Sequence, residues 1–161
     1  MIEKPKQNMT KIRSLLVAIL VVVLVGGFFV ATGPYVPPTT TTSSVSGLAT
    51  LKGMAKQSVP FPVALANGKP TLLEFYANWC STCQFMAPSL EKLHDKYGEQ
   101  VNFVMLDVDD PQFEPQLLEY DVNGLPQITF LSANATDSKT LVGMIPERAI
   151  AQNLEQLIIN H

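Results

Sequence analysis

The chain has 161 residues, 47% of them hydrophobic, and a formal net charge of −3, which suits one domain with attachments and a real core. The first 13 residues carry a net +3, from Lys4, Lys6, Lys11 and Arg13 against Glu3, leaving −6 for the remainder, so no basic patch favours a nucleic acid as partner. Its two cysteines stand three apart, which excludes a stapled mini-protein scaffold because so short a loop constrains almost nothing.

The first element is apolar. Leu15 to Ala31 gives 17 consecutive uncharged residues dominated by Val, Leu, Ile, Phe and Gly. At about 1.5 Å rise per residue a helix of that length approaches the thickness of a bilayer core. A cleaved signal peptide is the competing reading. Its apolar region is normally only about 7–15 residues, and Pro34 directly after Ala31-Thr32-Gly33 hinders cleavage. A transmembrane anchor is therefore expected over 14–32, with 1–13 as a basic cytoplasmic N-terminus and everything after Pro34 across the membrane.

Residues 33–46 read as a linker, rich in Pro (Pro34, Pro37, Pro38), Thr and Ser and without the means to bury a core. The globular part is expected over 47–161. Leu48, Leu51 and Ala55 have helical spacing over 48–56, and 61–66 predicts a short helix stopped by Asn67-Gly68. Residues 71–77 read as a buried strand, 80–97 as a helix stopped by Gly98, and 101–108 as a second buried strand. A helix over 111–120 opens on Pro111. Strands over 127–131 and 139–143 and an amphipathic helix over 146–159 complete the chain. No internal repeat is found. This order predicts an α/β domain, a mixed sheet with helices on both faces.

The chemistry concentrates at Trp79-Cys80-Ser81-Thr82-Cys83. Cys80 ends a strand and opens a helix, where free N–H groups and the helix dipole stabilise a thiolate. The thiolate is the attacking species in disulfide exchange. Cys83, one turn later on the same face and inside the helix, is expected to be more buried and to resolve the mixed disulfide. A zinc site needs about four ligands, and only His94 and His161 accompany the pair, so no metal is expected. No cofactor is required, because the dithiol itself carries two electrons.

Over about residues 59–160 the chain resembles the thioredoxin family. Leu73-Glu74-Phe75-Tyr76-Ala77-Asn78-Trp79-Cys80 looks like that family's strand into the active site. Pro88, five after Cys83, stands where the family has a helix-kinking proline. Gly124-Leu125-Pro126 looks like its Gly-Ile-Pro loop, and Val142-Gly143 like the glycine of its last hairpin. The resemblance implies a thioredoxin fold of about four to five strands preceded by one transmembrane helix. It also implies roles: Glu74 as a buried proton-transfer acid, Trp79 and Leu125 as docking surface, and Pro126 as a cis-proline facing the disulfide. Met105 replaces the family's lysine near the acid, so Glu74 is expected to stay protonated to higher pH. Gln127 replaces a threonine. Ser81-Thr82 replaces the Gly-Pro of thioredoxins and the Pro-His of strongly oxidising periplasmic enzymes, which leaves the direction of electron flow open. A longer polar loop, Ser132 to Ser138, contains the pattern Asn134-Ala135-Thr136.

Within the family, Ala64 to Pro70, Glu74 to Cys80, Val101 to Asp109 and the N-terminal anchor look like the membrane-anchored TxlA type of cyanobacteria and its thylakoid counterpart. That likeness implies a thiol:disulfide interchange protein in the thylakoid lumen or periplasm, fed by a CcdA-type membrane thiol transporter. Its clients would be proteins with cysteine pairs, such as apocytochromes. The alternatives are a disulfide donor and a client-binding assembly factor without redox turnover.

Overall fold

In the computed structural model residues 40–160 are described, with side chains from Ser46 onward. The expected basic N-terminus at 1–13 and anchor at 14–32 lie outside them. Among the described residues no helix is long and apolar enough to cross a membrane.

The elements are α1 (Thr40–Gln57), α2 (Phe61–Ala66), β1 (Thr71–Tyr76), α3 (Ser81–Tyr97), β2 (Asn102–Asp107), a 3-10 turn (Pro111–Phe113), α4 (Glu114–Glu119), β3 (Gln127–Leu131), β4 (Ser138–Val142) and α5 (Glu147–Ile159). The four strands form one sheet in the order β2-β1-β3-β4. β1 runs parallel to β2 and antiparallel to β3, and β4 is antiparallel to β3. The expected mixed α/β sheet is present.

Every residue of β1 is buried, Glu74 included, as befits a mostly apolar central strand covered on both sides. Alternation divides its side chains. Leu72 and Tyr76 join a cluster with Leu51 and Met54 of α1, Cys83, Met86, Leu90 and Leu93 of α3, and Ile150 and Leu154 of α5. Leu73 and Phe75 face the opposite layer, with Phe61 and Ala64 of α2 and partly buried Leu117 and Tyr120. So α1, α3 and α5 cover one face of the sheet, and α2 and α4 the other.

Two elements differ from the sequence reading. α1 begins at Thr40, inside the segment 33–46 read as linker. Helix growth is cooperative, so once its second half packs on α3 the preceding turns add without a new nucleus. The expected helix over 111–120 is divided, with a 3-10 turn ending at Phe113 and α4 restarting at Glu114. Pro115 explains the division, because its ring lacks an N–H and would crowd the carbonyl of Pro111 four residues earlier in a continuous α-helix.

Candidate functional site

β1 ends at Tyr76 and the chain turns through Ala77-Asn78-Trp79 into α3, so the site lies where the parallel strands β1 and β2 end. Cys80 is the N-cap of α3, with extended backbone angles, and its Sγ accepts from Cys83 N at 3.1 Å. Cys80 and Cys83 are joined by a disulfide with a Cα–Cα distance of 5.3 Å. Cys80 is 6% exposed and Cys83 fully buried, the asymmetry expected from their places on the helix. On reduction, the Cys83 N–H already points at Cys80 Sγ, the donor a thiolate there would use.

The turn before Cys80 is held by a chain of polar contacts that the sequence did not reveal. Gln84 Nε2 donates to the Asn78 carbonyl at 2.6 Å, and Asn78 Nδ2 donates to Asp107 Oδ2 at 2.9 Å. Asp107 Oδ1 accepts from Asp109 N at 3.1 Å, and Asp109 Oδ2 accepts from Trp79 Nε1 at 2.8 Å. Single polar residues like these carry no periodic signal, and only the spacing between them in space makes a network. Trp79 itself is 67% exposed.

Glu74 lies in mid-strand with Met105 and Ile128 as register partners in β2 and β3. It lies two residues from both Leu72 and Tyr76 and shares their face, so its side chain faces the layer that contains both cysteines. It is 1% exposed, and its Oε1 has no hydrogen-bond partner among the described residues. Burial pushes its pKa up to about 8, as expected for a carboxyl with an apolar Met105 as its neighbour instead of a cation. Tyr76, on the same face, is raised to about 12 by burial and then by Asp107, Glu74 and Asp110.

The Leu125–Pro126 peptide bond is cis. The Pro126 carbonyl accepts from Gly143 N at 2.8 Å, and Val142 stands opposite Gln127, so the start of β3 and the end of β4 close the other side of the site. Gly143 has a φ of 86°, which glycine adopts without strain. Gln127 turns away to donate to the Tyr120 carbonyl at 2.8 Å. Leu125 is half-buried between the two hydrophobic clusters. Pro88 lies in mid-α3 and removes the N–H that would bond the Gln84 carbonyl. Gly47 of α1 packs on that carbonyl so closely that a Cβ would overlap it. Asn134, in the β3–β4 loop, uses its Oδ1 to accept from Thr136 N and from the Ser132 and Thr136 hydroxyls. Among the described residues no group of three or more His, Cys, Asp or Glu could hold a metal ion.

The family model described as "Thioredoxin" matches residues 53–156. The chain is 39% identical over 113 residues to the thiol:disulfide interchange protein TxlA of Synechococcus elongatus, covering 70% of this chain and 59% of that protein. It is 38% identical over 148 residues to the TxlA homolog of Synechocystis, covering 92% and 77%. To the chloroplastic thioredoxin-like protein HCF164 of Arabidopsis thaliana it is 39% identical over 107 residues, covering 66% and 41%. The chain thus spans about three fifths of the Synechococcus relative's length and less of the plant protein's. Among solved structures, chloroplastic thioredoxin z superposes with a TM-score of 0.53 at 26% identity, covering 60% of this chain and 85% of that one.

Proposed function

The chain belongs to the thioredoxin family, and we propose on that basis that it is a membrane-anchored thiol:disulfide oxidoreductase that reduces disulfides in client proteins. The observation that carries this reading is the Cys80–Cys83 disulfide at the N-terminus of α3, in a fold that also holds a buried Glu74 on β1 and a cis peptide bond before Pro126.

In the reductive direction the Cys80 thiolate attacks one sulfur of a client disulfide. A Cys80–client mixed disulfide forms and the client's other sulfur leaves as a thiolate, taking up a proton. Cys83 then loses its proton to the ionised form of Glu74 and attacks Cys80 Sγ, and the client sulfur that leaves takes that proton up. The Cys80–Cys83 disulfide closes and the client leaves as a dithiol, two electrons richer. Trp79, Leu125 and Pro126 are the surface against which the client segment lies, and Pro88 shapes the helix behind it. The domain is placed, as part of this proposal, on the lumenal or periplasmic side of a thylakoid or plasma membrane by the basic residues that precede the apolar run 15–31. A CcdA-type transporter as the electron source and apocytochromes among the clients are part of the proposal.

A Cys83→Ala variant is expected to accumulate mixed disulfides through Cys80, and the captured proteins identify the clients. If nothing is captured by Cys83→Ala, and likewise nothing by Cys80→Ala, the oxidoreductase reading fails. A reduction potential near about −270 mV supports the reductive direction, and one near about −120 mV reverses it. Protease access to residues after Pro34 in sealed vesicles tests the orientation.

A further inference from the structure

The disulfide-bearing end of the sheet is built from four loops: 77–80 after β1, 108–113 after β2, 120–126 before β3 and 143–146 after β4. Their charged residues are Asp109, Asp110 and Asp121, joined by Asp107 at the end of β2, and none of the four contains Lys or Arg. The opening turns of α3, residues 81–89, carry no charge. All but one of the basic side chains of the described residues sit elsewhere. Lys69 before β1 and Lys139 in β4 lie toward the far end of the sheet, Lys92 and Lys96 in the second half of α3, and Lys52 and Lys56 in the second half of α1. The exception, Arg148 in the first turn of α5 just after the 143–146 loop, is adjacent to Glu147.

Apolar surface lies within this acidic frame. Trp79 is 67% exposed, Met144 65% and Val142 49%. The Val142–Met144 strip runs beside Pro126 through the register of β4 on β3 and the Gly143–Pro126 hydrogen bond. Trp79 is held to Asp109, which places an apolar ring and a carboxylate at one edge of Cys80. A client segment entering between Trp79 and Pro126 covers the apolar strip and brings its flanking residues against the acids. Opposite charge there speeds encounter and fixes register, whereas like charge is excluded.

We propose that this end docks cationic client segments, in which the reacting cysteine is flanked within a few residues by Lys or Arg. This rests on the oxidoreductase reading and adds the chemistry of the partner to it.

The test uses the full chain, reduced, in non-ionic detergent. Three disulfide-bridged peptides differ only in flanks of Lys, Gln or Glu, and each rate is normalised to that peptide's rate with 2-mercaptoethanol. At an ionic strength of about 0.01 M, where the Debye length is about 30 Å, the Lys peptide is expected to react at least about fivefold faster than the Glu peptide. At about 1 M, where the Debye length is about 3 Å, the ratio is expected to approach unity. An Asp110→Asn/Asp121→Asn double variant is expected to lower the low-salt ratio by at least about half. Asn keeps the acceptor for Gln112 N at position 110 and tolerates the φ of 47° at position 121. A ratio at or below unity at low salt, or one unchanged in the double variant, overturns the docking proposal while exchange with the Gln peptide keeps the enzyme reading intact. Failure of all three peptides to react overturns both.

Discussion

Replacing Glu74 by Gln removes the buried acid while nearly preserving its shape. The folded carboxyl holds its proton to about pH 8 because burial disfavours its charged form, whereas the unfolded chain releases it near 4.5. Between those values the native state binds a proton that the unfolded state lacks, so stability falls as pH rises, by about 1.4 kcal/mol per pH unit. Below about pH 4.5 both states are protonated and the group has no effect. Above about pH 8 both are ionised and the full loss, on the order of 5 kcal/mol, is present. At pH 7 the expected loss is roughly 3 kcal/mol, a large share of the ~5–15 kcal/mol typical of a domain. Glu74→Gln should therefore be more stable than the parent at pH 7, and nearly equal to it at pH 4.5. Urea unfolding of the oxidised protein, followed by far-UV circular dichroism at pH 5, 6, 7 and 8, measures the difference. The same variant should resolve mixed disulfides at least about tenfold more slowly, and its rate should lose the inflection near pH 8. Parallel stability curves for variant and parent across pH 5–8 would refute the reasoning, because the proton would then not be held differently in the two states.

Other substitutions probe the frame around the disulfide. Gly47→Ala places a methyl against the Gln84 carbonyl and should cost about 1–3 kcal/mol, read by thermal unfolding, since the atom it meets is helix backbone and cannot swing away. Asn102→Ala removes the amide that donates to the Ala64 carbonyl and to Thr71 Oγ1, and should lower stability by about 1–3 kcal/mol in chemical unfolding. Trp79→Phe keeps an apolar ring but loses the bond to Asp109. It should leave stability within about 1 kcal/mol of the parent while slowing exchange with a peptide disulfide, a result that separates docking from folding.

The strands and the redox pair were legible because they depend on patterns the chain states locally. β1 and β2 are largely apolar runs, and a buried parallel pair has to look that way. The Cys-x-x-Cys at a strand-to-helix junction carries its own electrostatic argument, and Gly124-Leu125-Pro126 was recognisable by likeness. α1's start at Thr40 was not legible, because Thr and Ser are weak helix formers and that helix is sustained by Leu51 and Met54 packing on a distant segment. The links from Gln84 to Asn78 and from Asp109 to Trp79 were equally silent, since each joins residues brought together only by the fold. The acidity of the disulfide-bearing end shares that origin. Asp109 follows β2 and Asp121 lies in the loop that leads into β3, segments that the order β2-β1-β3-β4 joins to the same end of the sheet.

Gln84 is where these silent features converge. Pro88 deprives its carbonyl of the helical N–H, and Gly47 of α1, lying before the region that matches the thioredoxin family at 53–156, packs on that carbonyl. Its backbone N–H bonds the Cys80 carbonyl at 3.1 Å, and its side chain bonds the Asn78 carbonyl at 2.6 Å. One residue therefore receives α1 on its backbone and grips both sides of Trp79 with its two donors. The kink proline, read from the sequence as a family mark, has a specific physical consequence in this chain. It frees a carbonyl against which α1 seats at the distance only glycine permits. The same helix then buttresses the turn that presents Cys80. Helix α1 and the reactive turn are thus not independent modules, because the route between them is three contacts of a single side chain and its peptide groups.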